Sequence, residues 1–223
     1  MRINVKKKDA IRLNDKEIED VEAFLYLGAT MDKNGGTEAD IGRRLGLART
    51  AFASLAKIWK SAQYSTKTKL KIFNTNVLSV LLYCAELWRT TEKDDEKLDT
   101  FHRKCLRRIL KIHWPEKITN QQLYERTRAI PLSCTIKRKR WRWIGHILRR
   151  EENSHIRTAL TWAPEGKRRR GRPKNTWRRS VEREREELGW NSWKEGQVVA
   201  SDRRKWRSLL NGLMRPPGHG EDK

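Results

Sequence analysis

The chain has 223 residues, of which 36% are hydrophobic and 10 are tryptophan, so it is long enough to bury a core and is not wholly disordered. Its formal net charge of +23 favours a polyanionic partner over a basic or neutral one. No apolar run reaches the roughly 18 residues of a membrane span, and the start, MRINVKKKDA, lacks the apolar stretch of a signal peptide. We therefore expect an intracellular protein, with the nucleus as one compartment open to it, and no membrane partner.

The positive charge is concentrated in the second half of the chain. Residues 1–100 hold 18 basic and 15 acidic residues, so the other 33 basic and 13 acidic residues lie in 101–223. Such an excess repels itself unless a partner neutralises it. Nucleic acid fits better than an acidic membrane, because no strongly apolar amphipathic helix accompanies the charge. We expect nucleic acid as the partner, and the sequence leaves the oligomeric state open.

The first segment, residues 1–36, is predicted to form short antiparallel hairpins. The runs RINV, AIRL and VEAFLYLGATM favour strands, and DKNGG after them is typical of a turn. One or two hairpins of this size are marginally stable alone. We expect them to pack against the remainder of the chain.

A three-helix bundle is predicted for residues 37–114. The first helix begins after Thr37, and the second runs from Ser65 to about Trp88. The third has acidic residues at its start and basic residues at its end, as the helix dipole favours. The run VLSVLLYCAELW is the most apolar of the chain and is predicted to form the centre of the core.

A basic helix is predicted from Leu132 to Arg150, within a tryptophan-containing helical segment, residues 115–163. Trp143 is placed on its apolar face, which leaves Trp141 on another face because side chains two apart diverge on a helix. Two hypotheses for Trp141 stay open, stacking on a base and packing against a neighbouring helix. The nucleic-acid contacts predicted on this helix are Arg138, Lys139, Arg140, Trp141, Arg142, Arg149 and Arg150.

A basic linker, residues 164–172, follows and contains no apolar side chain. Its RGRP sequence matches the core of an AT-hook, which lies extended in the narrow minor groove of A·T-rich DNA. Generic phosphate contact and a nuclear-import signal are alternatives with the same sequence. The contacts predicted in and after the linker are Lys167, Arg168, Arg169, Arg170, Gly171, Arg172, Pro173, Lys174, Arg178 and Arg179.

Two C-terminal helices are predicted for residues 173–214, the first ending at Gly189, and residues 215–223 are predicted to be a disordered tail. Four tryptophans fit or end apolar stripes and are predicted to be core residues: Trp162, Trp177, Trp193 and Trp206.

A zinc site is the one cofactor hypothesis that the sequence raises. Cys134, His146 and His155 are spaced by eleven and eight residues, which matches no compact zinc knuckle, and a fourth ligand is missing. We expect no cofactor or metal, and no small-molecule substrate is evident.

Several motifs resemble, in order, the C-terminal part of the reverse transcriptase of LINE-type, non-LTR retrotransposons. They are EIEDVEAFLYLG, TEADIGRRLGLARTAF, LLYCAELWRTT, KCLRRILKIHWPEKITNQQL, KRKRWRWIGHILRR and GKRRRGRPKNTWRR. The resemblance implies that residues 1–36 correspond to the palm–thumb junction and 37–114 to the polymerase thumb. It also implies that the basic region beyond engages element RNA or target DNA. The chain then corresponds to a truncated product of a longer reading frame.

The resemblance does not include the catalytic palm of that family. Polymerase chemistry needs two metal-binding carboxylates on a palm sheet, and the Asp-Asp pair here, Asp94 and Asp95, stands at a predicted helix start. We assign no catalytic residue and expect no polymerisation by this chain alone. An independent DNA-binding or chromatin-associated module and a non-functional transposon relic are the alternatives. The expected fold is mainly α, with N-terminal hairpins, a thumb-like three-helix bundle and a smaller basic helical C-terminal region.

Overall fold

A computed structural model describes residues 1, 9–33, 36–151, 153–162 and 176–213. Within these ranges the chain is mainly α-helical, with two short antiparallel hairpins at its N-terminal end, which confirms the predicted fold class. The predicted linker, 164–172, and tail, 215–223, lie outside the described residues. The strands are β1 (Arg12–Leu13), β2 (Lys16–Glu17), β3 (Ala23–Tyr26) and β4 (Ala29–Asp32).

The helices follow the strands, and a π-helical turn (Phe73–Leu78) and a 3₁₀ turn (Ala85–Leu87) lie among them. None of the helices in the described ranges is long and apolar enough to cross a membrane. The helices are α1 (Glu38–Ser54), α2 (Ala56–Lys60), α3 (Thr66–Ile72), α4 (Ser79–Leu81), α5 (Glu92–Ile109), α6 (Asn120–Thr127), α7 (Leu132–Leu148), α8 (His155–Thr161), α9 (Trp177–Glu187), α10 (Trp193–Ser201) and α11 (Arg203–Leu213).

The β3–β4 hairpin turns at Leu27 and Gly28, inside the run VEAFLYLGATM and before the DKNGG sequence that the pattern favours. Both residues have positive φ, 48° and 78°, as a two-residue hairpin turn requires. Helix α1 anchors this hairpin, because Arg44 donates to the Gly28 carbonyl and the Asp40 carboxylate accepts from the Thr30 amide at 2.9 Å. The β3–β4 hairpin therefore packs against α1, in agreement with the prediction that it packs against the remainder of the chain.

A first apolar cluster lies between α1, the segment 73–88 and α5. Val77, Leu81 and Ala85 are fully buried in it, which confirms that the run VLSVLLYCAELW belongs to the core. The single helix predicted from Ser65 to about Trp88 is wrong beyond α4. Before α4 a π-helical turn interrupts the predicted helix. After α4 Cys84 adopts a left-handed conformation (φ 56°) that turns the chain.

Helix α5 confirms the predicted third helix of the bundle and its acidic start. Thr91 and Asp94 form a reciprocal capping box at its first turn. On the same helix, the Asp99 carboxylate accepts from the amide of Leu132 at 2.6 Å and from the hydroxyl of Ser133 at 2.8 Å. Because α7 has no capping side chain of its own, this carboxylate from α5 satisfies its first amides.

A second apolar cluster is formed by the later part of α7 with α8 to α11. Helix α7 belongs to both clusters, since Leu132 and Ile136 pack in the first, and Trp141 and Ile144 in the second. Trp141 is fully buried and lies among three other indoles, with ring centroids 5.6–6.2 Å away. This shared helix connects the two clusters through continuous packing.

The last predicted helix is divided into α10 and α11 at Asp202. The backbone of Asp202 is extended, and its carboxylate accepts from the amides of Arg204 and Lys205 at 2.8 and 3.1 Å. These bonds satisfy amides that an N-terminal turn leaves without helical partners. The break redirects α11 so that it packs on α7.

Candidate nucleic-acid interface

Two of the predicted contacts, Arg140 and Trp141, lie in the interior of the structure. Their relative exposures are 2% and 0%, so neither can reach a nucleic acid in this fold, and the prediction is wrong for both. The physical reason is that α7 turns this part of its surface towards α9. There the Trp141 indole N–H donates to the Glu184 carboxylate at 2.8 Å. Of the two hypotheses for Trp141, packing against neighbouring helices is the one that the structure supports.

Arg140 joins the two apolar clusters through a buried ion pair. Its guanidinium donates to the Glu184 carboxylate of α9 and, at 2.7 Å, to the backbone carbonyl of Trp88 in the first cluster. Burial raises the pKa of Glu184, and the charge of Arg140 opposes that rise. Arg140, which its charge predicts to contact nucleic acid, is therefore a buried residue that links α9 to the first apolar cluster.

Lys139 and Arg178 are partly committed to contacts within the chain. The Lys139 ammonium donates to the Leu82 carbonyl and lies 3.4 Å from the Glu86 carboxylate. The Arg178 guanidinium donates to the carbonyl of Trp162 at 2.8 Å. Both side chains are half-exposed, so they stabilise loops while one edge faces solvent.

A group of basic side chains lies where the C-terminal end of α7 meets α11. We call Arg149, Arg203 and Arg207 the α7–α11 basic cluster. Burial and the neighbouring charges of Arg203 and Arg207 lower the pKa of the Arg149 guanidinium. Arg149 also donates to the Ala200 carbonyl at 3.1 Å, which fixes its direction. Like charges that act on one another create a positive potential, which a phosphate group relieves.

The remaining predicted contacts differ in their exposure to solvent. Arg142 on α7, Arg150 just after it and Arg179 on α9 are exposed, whereas Arg138 is half-buried. The Arg150 guanidinium lies 3.2 Å from the ring nitrogen Nε2 of His146. The contacts predicted at 167–174, including the RGRP sequence, lie outside the described residues, so the structure does not address them.

The sequence interpretation missed Arg203 and Arg207 because it assigned only apolar residues to the last helix. The available pattern is RRKWR, in which two arginines four apart flank the buried Trp206. Such spacing places both on one face of a helix. That face becomes part of the interface only because α11 packs beside α7, which a linear pattern does not reveal.

The tryptophans of the second half are mainly structural. Trp206 is buried and Trp177 and Trp193 are half-buried, which is consistent with their predicted place in the core. The prediction is wrong for Trp162, which is 63% exposed. It follows the last residue of α8 with extended backbone, so its side chain leaves the apolar stripe of that helix.

The acidic residues of α5 belong to the start of that helix, as predicted. Asp94 is buried and accepts from the amide and hydroxyl of Thr91 at 3.2 and 2.7 Å. Burial raises the pKa of the neighbouring Asp95 carboxyl to about 6. Among the residues that the structure describes, no group of three or more His, Cys, Asp or Glu side chains is arranged to hold a metal ion.

Comparisons with known proteins indicate the origin of the chain. It is similar to an uncharacterized transposon-derived protein of Caenorhabditis elegans, at 25% identity over 206 residues that cover 87% of this chain and 72% of that protein. A family model described as a domain of unknown function, DUF6451, matches residues 51–83, from the end of α1 to just beyond α4. No solved structure matches the chain significantly. The similarity supports a transposon origin.

Proposed function

We propose that this chain is the thumb and basic C-terminal region of a non-LTR retrotransposon reverse transcriptase, and that it binds nucleic acid without extending it. The observation that carries the binding part is the α7–α11 basic cluster, in which Arg149 is fixed by the Ala200 carbonyl where α11 packs on α7, within the influence of the charges of Arg203 and Arg207. The order of the family-like motifs along the chain supports the polymerase part. The transposon-derived relative is compatible with both.

The ligand proposed for the cluster is the phosphate backbone of element RNA or target DNA. Arginine suits this ligand because its planar donor fork matches phosphate oxygens and its charge persists at every physiological pH. Arg142 on α7 and Arg150, which follows the C-cap residue Arg149, are exposed and extend the cationic surface along and beyond the end of α7. The cluster consists of guanidinium groups alone, which favours contact with the phosphate backbone over stacking on bases.

The role proposed for the first half is to support this surface. Helix α7 is capped by Asp99 of α5, and its Arg140 is bonded to Trp88 of the first cluster. The cationic end of α7 is therefore held in a fixed direction relative to the bundle. In this proposal the chain grips template, primer or target while a palm elsewhere supplies the chemistry.

The triple variant Arg149→Ala/Arg203→Ala/Arg207→Ala should reduce the salt dependence of duplex binding. Each phosphate contact contributes about 0.9 to the slope of log affinity against log salt, so losing three contacts reduces the slope by up to about 2.7. The measurement is fluorescence anisotropy with a labelled duplex between about 50 and 200 mM salt.

A matched control removes the same charge from the acidic N-terminal hairpins, as Arg12→Ala/Lys16→Ala/Lys33→Ala. All three of these side chains are exposed, and seven acidic residues lie in the same stretch, 9–33. We expect an unchanged slope for the control. Equal slopes for the wild type and the Arg149 triple variant, both folded by circular dichroism, would place the binding surface elsewhere.

A further inference from the structure

The loop between α5 and α6 exposes Trp114. Its side chain is 86% exposed, the largest value among the ten tryptophans of the chain, all of which the structure describes. Five of the others are buried, and Ile112, two residues earlier, is 8% exposed and belongs to the first apolar cluster. An indole in water forgoes the burial that large aromatic side chains usually gain, and both faces of its ring are open to a ligand.

The loop that carries Trp114 is fastened at both ends. The Arg107 guanidinium of α5 donates to the side-chain oxygen of Asn120 at 2.8 Å, which ties the end of α5 to the start of α6. Within the loop, Glu116 accepts from the Arg126 guanidinium of α6 at 3.0 Å. The indole is therefore presented outward by a defined backbone, which reduces the ordering that a ligand would otherwise impose.

Cationic residues flank Trp114 along the sequence. Arg108 lies in the last turn of α5, Lys111 lies two residues after that helix, Lys117 lies three residues beyond Trp114, and all three are exposed. An aromatic face among cations is the combination that single-stranded nucleic acid uses, because a base stacks on the ring while phosphates meet the charges. A protein partner with an apolar surface would have to desolvate those charges, which disfavours it.

We infer that Trp114 stacks on an unpaired base of a single-stranded RNA or DNA segment, with Arg108, Lys111 and Lys117 contacting the adjoining phosphates. This inference rests on the proposed function and adds a second contact to it. The α7–α11 basic cluster recognises phosphate and is indifferent to bases, whereas Trp114 requires a base with an accessible face. The chain then distinguishes a single strand carrying bases from one without them.

The test compares two single-stranded oligonucleotides of equal length and phosphate number, one with thymine bases and one abasic. The wild-type chain should bind the base-bearing strand more tightly. Trp114→Ala should weaken that binding by about 5- to 150-fold, the range measured for loss of one stacking partner, and should bind both strands equally. Its salt slope should equal that of the wild type, because no phosphate contact is lost.

Tyr26→Ala is the matched control, since Tyr26 is an aromatic residue, 60% exposed, on the acidic β3–β4 hairpin. We expect it to leave both affinities unchanged. The melting temperature of Trp114→Ala should match that of the wild type, because an exposed side chain contributes little to packing. Undiminished binding of the base-bearing strand by Trp114→Ala would overturn the inference alone. Failure of the wild-type chain to bind either strand at low salt would overturn the proposed function with it.

Discussion

Replacing Glu184 with Ala should lower the free energy of unfolding by about 3–5 kcal/mol, because it leaves a buried guanidinium without its counter-charge. Arg140 is 2% exposed, so water cannot replace the lost carboxylate without opening the contact between α7 and α9. The Trp141 indole N–H loses its acceptor in the same variant. For a chain of this size the melting temperature should fall by roughly 10 °C, which thermal unfolding followed by circular dichroism measures.

Glu186→Ala is the control for that experiment. Glu186 lies on the same helix, two residues from Glu184, and its side chain is exposed. Its replacement should change the unfolding free energy by no more than about 0.5 kcal/mol. Glu184→Gln, which keeps an oxygen acceptor for one of the two donors, should fall between Glu184→Ala and the wild type. A loss for Glu184→Ala as small as that for Glu186→Ala would contradict the assigned role of the ion pair.

The second large effect is expected for Gly145→Ala. A Cβ atom at this position would lie 2.3 Å from Nε1 and 2.4 Å from Cε2 of Trp206, distances at which the indole must move. Trp206 is 3% exposed, stacks on Trp190 with centroids 5.4 Å apart, and donates to the Trp141 carbonyl at 3.2 Å. We expect a loss of about 3 kcal/mol, the upper part of the range for an overpacked core, measured by denaturant unfolding.

Gly46→Ala makes the same chemical change at another site, and there we expect stability to rise instead of fall. Gly46 is exposed in the middle of α1, and no atom lies within 4 Å of the position its Cβ would take. Alanine there should stabilise the chain by about 0.5–1 kcal/mol, because glycine loses more backbone freedom in a helix. If Gly145→Ala were no more destabilising than Gly46→Ala, the assignment of close packing between α11 and α7 through Trp206 would be wrong.

Local patterns in the sequence predict most of the helices and the location of the first apolar cluster. The acidic start of α5 and the apolar run before it follow from periodicity and the helix dipole, and both are found where expected. The hairpin turn at Leu27 and Gly28 and the break at Asp202 were harder to foresee. The turn depends on the bond that Arg44 of α1 donates to the Gly28 carbonyl, and the break depends on the Asp202 carboxylate, which accepts from the first amides of α11.

The misassignment on α7 has a specific cause. Charge alone predicts that Arg140 is exposed, and an apolar face drawn without Arg140 includes Trp143 and leaves out Trp141. Keeping Arg140 restores an unbroken stripe with a spacing of four residues, which the structure buries: Leu132, Ile136, Arg140, Ile144 and Leu148. A basic residue inside such a stripe indicates a buried ion pair, but its partner on α9 is known only from the tertiary structure.

For the candidate interface, composition indicates the region of the chain, and the folded structure indicates which residues of that region are accessible. The excess of 33 basic over 13 acidic residues in 101–223 indicates the half that would meet a polyanion. It does not separate cations committed to the fold, such as Arg140, from those of the α7–α11 basic cluster. That separation depends on burial and on the approach of α11 to α7, which brings Arg203 and Arg207 beside Arg149.

The salt dependence of nucleic-acid affinity tests the central claim most directly. The affinity of the whole wild-type chain for a duplex should be measured at several salt concentrations between about 50 and 200 mM. Five neutralised phosphates, one each for Arg142, Arg149, Arg150, Arg203 and Arg207, predict a slope of log affinity against log salt at least as steep as about −4.5, and the contacts predicted at 167–174 would make it steeper. A flat dependence, or no binding at the lowest salt concentration, would contradict the account.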